Sequence, residues 1–228
     1  MITSEFGLFL LRWLHTFAGI IWIGLLYYIN FVQGPYMAEA DASSKSSAFT
    51  KLVPRVLWWF RWSALWTTVL GVIYMAARAH IAGFELDAYW AKILAGAAMG
   101  LVMASNVWFV IWPAQKLVIA NAQAMAGGAS ANPAVALRAA RGLVASRTNV
   151  LLSIPMLFFM GAASHWNFGV REESVRAFLL ITGVVIAAIE ANALFGKTGP
   201  ITTIKGVITS GFALTAVFAA LVVFVLAA

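Results

Sequence analysis

The sequence predicts an all-α integral membrane protein built as a bundle of six transmembrane helices. Of its 228 residues, 63% are hydrophobic and only 10% are charged, whereas a soluble domain carries about 25% charged residues. Backbone polar groups in lipid must pair within the protein, and the apolar runs lack the alternation of barrel strands, so we expect helices. Six runs approach or exceed the roughly 20 residues that a helical span needs. They cover about residues 7–29, 60–80, 91–113, 149–168, 176–196 and 206–228.

The connections between these runs leave no room for a second domain, so we predict one transmembrane domain over residues 1–228. The N-terminus lacks a basic region and a small-residue cleavage site, which indicates a retained first span rather than a signal peptide. The 31–57 connection is polar and predicts a loop. In the 114–148 connection we expect a break at 126–133, followed by an interfacial helix from Pro133 to about Ser146.

Basic residues are concentrated in alternate connections, which indicates the orientation of the bundle. Ten of them lie in the connections 30–61, 114–148 and 197–205, and four lie on the opposite side. The basic side of a membrane protein faces the cytoplasm, so six spans place both termini outside, in a multi-pass protein of the bacterial inner membrane. The net charge of +7 follows from this asymmetry and does not indicate a nucleic-acid partner.

The three histidines, His15, His80 and His165, are the residues best suited to chemistry in this chain. The predicted topology places all three in the outer half of the membrane. Histidine is the commonest metal ligand and a frequent haem ligand, and a titratable ring inside a span marks a functional site by default. The chain has no cysteine, which excludes thiolate metal sites, iron–sulfur clusters and covalently attached haem.

These observations predict haem b, with His15 as first iron ligand and His165 as a candidate second ligand. Arg12, His15, Gly19 and Trp22 share one face of the first span because their spacing is 3-4-3. A glycine leaves room beside a macrocycle, and an arginine one turn from the ligand suits a propionate or an anionic substrate. The alternative for His15 and His165 is a structural histidine hydrogen-bonded between helices, and His80 is most simply an interfacial residue.

Two further polar residues fall inside predicted spans. Glu190 is the only acid within a span and lies in the inner half, where we expect it to partner Arg61 or Arg147; a proton-relay role is the alternative. Asn106 is expected to form a hydrogen bond between helices.

Several ordered segments resemble the membrane domain of the bacterial cytochrome-c-dependent urate oxidase (urate hydroxylase) family. More distantly, the histidine of the first span resembles that of copper-resistance membrane proteins and of a haem-binding protoporphyrinogen oxidase. The segments that carry the main resemblance are Arg12-Trp13-Leu14-His15, Ile21-Trp22-Ile23-Gly24, Trp59-Phe60-Arg61-Trp62, Asn106 through Lys116, Ser146 through Asn149, Leu152 through Met160, and Ser164-His165.

The resemblance implies a membrane oxidoreductase that passes electrons to cytochrome c on the periplasmic side. By their positions in these segments, the residues to which the family's functional roles would apply are His15, Trp22, Arg61, Asn106, Gln115, Asn149 and His165. Family members commonly end in a cytochrome c domain with a Cys-x-x-Cys-His motif, which this cysteine-free sequence lacks. We therefore expect a separate cytochrome c or a quinone to receive the electrons.

Two other classes of function stay open at this point. The chain is alternatively a non-catalytic accessory subunit of a larger respiratory or photosynthetic complex, with structural histidines. The third possibility is a transporter of a small anion or a metal, which would use Arg12, His15 and Glu190 along its path; six spans without inverted repeats argue against it.

Overall fold

The computed structural model, which describes residues 2–195 and 198–227, confirms the predicted bundle of six helices. No strand occurs in these two ranges. Each helix is long and apolar enough to cross a membrane. The orientation with both ends outside stays a prediction. The six helices are α1 (Ser4–Glu39), α2 (Ala42–Ala82), α3 (Ala88–Ala126), α4 (Ala134–His165), α5 (Glu172–Phe195) and α6 (Ile204–Leu226).

The first four helices extend well beyond the predicted spans at one end of the bundle. We call this the long-helix end; the opposite end, with the connections 83–87 and 166–171, is the short-loop end. The predicted 31–57 loop is wrong, because only Ala40 and Asp41 interrupt the helices there. Hydropathy indicates which part of the chain contacts lipid. It does not indicate where a helix ends, because a polar segment outside the lipid can also be helical.

Asp41 starts α2 as an N-cap residue. Its Oδ1 accepts hydrogen bonds from the backbone N–H groups of Ser43 (2.8 Å) and Ser44 (3.0 Å), and both serine hydroxyls also donate to the carboxylate. These bonds, with that of the Ser44 hydroxyl foremost, hold the pKa of Asp41 well below its usual range. The exposed cap is therefore ionised at neutral pH and supports the turn between α1 and α2.

The second long connection is also largely helical. The predicted break is confirmed, since α3 ends at Ala126 and α4 begins at Ala134. The separate interfacial helix is wrong, because α4 runs without interruption into the membrane. Its first part packs against α3 instead of lying along the interface: a Cβ atom at Gly142 would lie 3.0 Å from the Ala114 Cβ.

The bundle is assembled from two groups of helices. α1 packs along α2, whereas α3 packs along α4, and α5 and α6 cover the outside of the α3/α4 pair. α4 is the central helix, with 61% of its most apolar window buried against 17% in α5. The α1/α2 pair makes far fewer contacts with the α3/α4 pair than each pair makes internally, so a space remains between them.

Several helices contain π-helical turns, at Tyr28–Gln33, Ala48–Leu52, Asn106–Ile111 and Val222–Leu226. Such turns widen the helix by one residue and are frequent at functional sites. In the first of them the buried Asn30 donates hydrogen bonds to the Leu26 carbonyl (2.9 Å) and to the Ser146 hydroxyl (2.8 Å). The turn thereby joins α1 to α4 near the long-helix end.

Candidate functional site

A cavity of about 760 Å³ lies between the α1/α2 pair and the α3/α4 pair, in the half of the bundle toward the short-loop end. Its volume falls within the range of about 300–1,000 Å³ that is typical of small-molecule and cofactor sites. Most of its lining side chains are apolar, including Ile93, Leu94, Met156 and Met160. Its polar side chains come from all four helices, and those on α1 include Arg12, His15 and Thr16.

His15 lies on the α1 wall of this cavity in a fixed orientation. Its Nδ1 lies 2.8 Å from the backbone carbonyl oxygen of Thr67 on α2, so Nδ1 carries the proton and donates it to that carbonyl. Gly71 makes the position possible, because a Cβ atom there would lie 2.9 Å from His15 Cε1 and 3.0 Å from Nδ1. Nε2 has no hydrogen-bond partner in the described part of the chain, and its lone pair is available to a ligand.

Arg12 lies one helical turn from His15 toward the short-loop end. Its Nη2 donates a hydrogen bond of 2.6 Å to the Ser164 hydroxyl, which joins α1 to α4 across the cavity. Tyr74 and Tyr89 also line this end, and the Arg78 guanidinium lies 4.1 Å from the centre of the Tyr89 ring. The cavity is therefore polar and cationic at this end and apolar deeper in the membrane.

Gly19 and Trp22 continue the same face of α1 into the membrane. A Cβ atom at Gly19 would make an ordinary van der Waals contact with Thr67 Cγ2 at 3.7 Å, so an alanine would also fit between α1 and α2 here. Trp22 is only 2% exposed, and its indole Nε1–H has no acceptor among the described residues. All four predicted residues of this face line the cavity, while their role in binding stays a prediction.

The other two histidines do not reach the cavity. His165 is the last residue of α4, exposed, and directly follows Ser164. His80 is exposed near the end of α2, as expected of an interfacial residue. Neither is among the lining residues, so the structure does not bring His15 and His165 together around this space. No group of three or more metal-ligating side chains occurs within residues 2–195 and 198–227.

A second polar cluster lies where the π-helical turn of α3 begins. The Asn106 amide donates hydrogen bonds of 3.0 Å to Asn149 Oδ1 on α4 and 3.0 Å to Glu190 Oε2 on α5. Asn149 is fully buried and donates in turn to the Met103 carbonyl at 2.9 Å. Asn106 thus makes the interhelical hydrogen bonds that the sequence predicts.

The predicted arginine partner of Glu190 is wrong. The Arg61 guanidinium lies 3.9 Å from the centre of the Trp112 ring. Arg147 donates to the backbone carbonyls of Ile201 and Thr202 beside the turn Gly199–Thr202. Each arginine therefore has a neighbour of its own, and the Glu190 carboxylate is held by an amide.

Thr67, Gly71 and Ser164 complete the site, and sequence reasoning missed all three. Thr67 acts through its backbone carbonyl and Gly71 through the side chain it lacks, so neither carries a signal in a single sequence. Ser164 stands in a segment that carries the family resemblance, but its contact with Arg12 depends on the rotation of α4 about its axis, which one sequence does not specify.

The fold defines a multi-pass membrane protein, and the cavity between its helix pairs is large enough for a small molecule. The family model described as urate oxidase N-terminal matches residues 73–226, well over half of the chain. The chain belongs to this family and forms a urate-oxidase-like membrane domain. No curated protein and no solved structure matches it.

The matched range covers only part of the cavity lining. It includes the α3/α4 wall and, from α2, Tyr74 and Met75. Arg12 and His15 precede it, as do Thr67 and Gly71. The residues that fix the histidine therefore lie outside the matched range.

Proposed function

We propose that this chain is a membrane redox domain of the urate-oxidase type in which His15 ligates haem b through Nε2. The observation that carries the proposal is the fixed imidazole, with Nδ1–H bonded to the Thr67 carbonyl and Nε2 without a partner beside a 760 Å³ cavity. Metal-ligating histidines nearly always donate their other ring N–H to a carbonyl or carboxylate, which fixes the tautomer and raises the basicity of the ligating nitrogen.

The remaining lining residues fit this group. Arg12, at the polar end of the cavity, would bind a propionate, and its hydrogen bond to Ser164 supports that position of the guanidinium. Apolar side chains from all four helices line the deeper part. When bound, haem b supplies a one-electron carrier between a substrate and an acceptor. His165 is exposed and does not line the cavity, so the proposal depends on His15.

The position of the cavity supports a direction for electron transfer. It lies toward the short-loop end, the side predicted to face the periplasm. We propose that electrons leave there to a separate cytochrome c or to a membrane quinone. The Asn106–Glu190 cluster is not needed for this step.

The visible absorption spectrum of the detergent-purified protein, oxidised and then reduced, tests the proposal. We expect a Soret band with sharp bands after reduction in the wild type, and loss of bound haem in His15→Ala. His80→Ala is the matched control, since it removes an exposed histidine outside the cavity, and it should keep full haem content. A featureless spectrum of wild-type protein produced with ample haem contradicts the proposal, as does equal haem content in both variants.

A further inference from the structure

A second pocket, of about 530 Å³, lies at the long-helix end between the last turns of α1 and the first turns of α2. It is formed around the π-helical turns Tyr28–Gln33 and Ala48–Leu52. The two helices enclose it on either side of the short turn at residues 40–41. It is therefore separate from the cavity around His15, which lies toward the opposite end of α1 and α2.

Two cations line this pocket without a counter-charge. Lys51 and Arg55 are four residues apart on α2, and no aspartate or glutamate is among the lining residues. In the described part of the chain, neither cation has an ion-pair or hydrogen-bond partner. Like charges at this spacing destabilise a helix, so the pair favours an anionic ligand.

A buried hydrogen-bond acceptor without a donor lies in the same pocket. Gln33 Oε1 is buried and has no hydrogen-bond donor among the described residues. A buried acceptor without a partner is costly, and the cost disappears when a ligand hydroxyl or N–H donates to it. The two cations and this acceptor together suit a ligand that carries both an anionic group and a donor.

The rim of the pocket is apolar and open to the surroundings. Val32 is 56% exposed, Tyr36 48% and Leu52 40%, and all three line the pocket. Trp58 and Trp59, also exposed, follow on α2 and are of the type that marks the boundary between headgroups and acyl chains. The pocket thus lies at the membrane interface. A ligand with apolar chains can cover the apolar rim there, whereas a free anion cannot.

We propose that this pocket binds the headgroup of an anionic glycerophospholipid that carries hydroxyl groups, the chemistry of phosphatidylglycerol. Its phosphate lies between Lys51 and Arg55, a headgroup hydroxyl donates to Gln33 Oε1, and its acyl chains run along Val32 and Leu52 into the bilayer. The site does not depend on any role of the cavity around His15.

Thermal unfolding of delipidated protein in detergent, measured against added lipid, tests the phosphate contact. We expect phosphatidylglycerol to raise the unfolding midpoint at far lower concentration than phosphatidylcholine. The double variant Lys51→Gln/Arg55→Gln should need roughly 25-fold more phosphatidylglycerol, about fivefold for each basic residue lost. The matched control is Arg138→Gln/Arg141→Gln, which removes the same charge from exposed positions of α4 and should respond like the wild type.

Three outcomes overturn the lipid site: equal protection by phosphatidylcholine, an unchanged response in the Lys51/Arg55 variant, or an equal loss in the control variant. Inorganic phosphate is the remaining probe. Protection by phosphate alone at the same concentration as the lipid would make this a small-anion site and contradict the proposal.

The hydroxyl contact is tested with phosphatidylmethanol, which is anionic but lacks headgroup hydroxyls. Wild-type protein should prefer phosphatidylglycerol by about fivefold, the usual effect of one net hydrogen bond. Gln33→Leu should remove that preference and keep the requirement for negative charge. Equal affinity of the wild type for the two lipids contradicts the assignment of Gln33.

Discussion

Replacing Gly71 with alanine is the sharpest test of how His15 is positioned. The new methyl group would lie 2.9 Å from His15 Cε1 and 3.0 Å from Nδ1, closer than side chains approach one another. The imidazole is the end of a flexible side chain and can turn away, whereas the α2 backbone is held along its length by α1. We therefore expect the ring to move and the hydrogen bond to the Thr67 carbonyl to break.

The lost hydrogen bond and the displaced ring set the expected loss of stability in Gly71→Ala. One hydrogen bond contributes about 1 kcal/mol net, and an inserted methyl group that displaces a neighbour costs about 1–3 kcal/mol. The fold should therefore survive with a modestly lower unfolding temperature. Removing the outer partner of a metal-ligating histidine lowers metal affinity by about 10- to 100-fold, so haem affinity should fall by that factor.

Haem titration of the apoprotein, followed in the Soret region, measures this effect directly. Gly100→Ala is the matched control, because Gly100 also lines the cavity and a Cβ atom there would have open space, with no neighbouring atom within 4 Å. It should bind haem with an affinity close to that of the wild type. If Gly71→Ala binds within twofold of the wild type, orientation by Thr67 is wrong. If both variants lose affinity equally, lost volume rather than orientation explains the result.

Two predictions concern the stability of the bundle. Asn149→Leu should lower the free energy of unfolding by about 1–3 kcal/mol, because it removes a hydrogen-bond partner from both the Asn106 amide and the Met103 carbonyl. The control Asn167→Leu, in an exposed loop, should change the free energy of unfolding by less than about 0.5 kcal/mol. Equal effects of the two substitutions would contradict the role of the cluster. Gly211→Ala should lower the free energy of unfolding by about 1–3 kcal/mol through overlap with the Ile154 side chain, and denaturation that matches the wild type would refute the close approach of α6 to α4.

The number and place of the spans were predictable from the sequence, whereas the full length of the helices was not. A span is visible because lipid demands apolar side chains over about 20 residues. Beyond the lipid no such demand exists, so the helical continuation through Ser43 and Lys51 left no hydropathy signal. The break before Ala134 was predictable because glycine and proline there oppose a helix.

Half of the candidate site was predictable for a similar reason. His15 is one of few titratable groups in an apolar run, and the periodicity of one helix placed Arg12 and Trp22 beside it. The partners of these residues depend on how neighbouring helices are rotated and ordered, which one sequence does not specify. The interpretation of Glu190 went wrong at this step, because charge alone suggested arginines and helix rotation supplied Asn106.

The separation of the two cavity walls along the chain has a consequence for biogenesis. α1 and α2 are synthesised first and already hold His15, Thr67 and Gly71 in contact. The opposite wall is complete only when Ser164 has entered the membrane, about ninety residues after Gly71. Because chains emerge from the ribosome N-terminus first, the nascent hairpin presents its imidazole to the lipid before any enclosing wall exists. If His15 binds haem as we propose, haem insertion is therefore a late step of assembly, set by the arrival of α4 and not by the folding of the helices that carry the histidine.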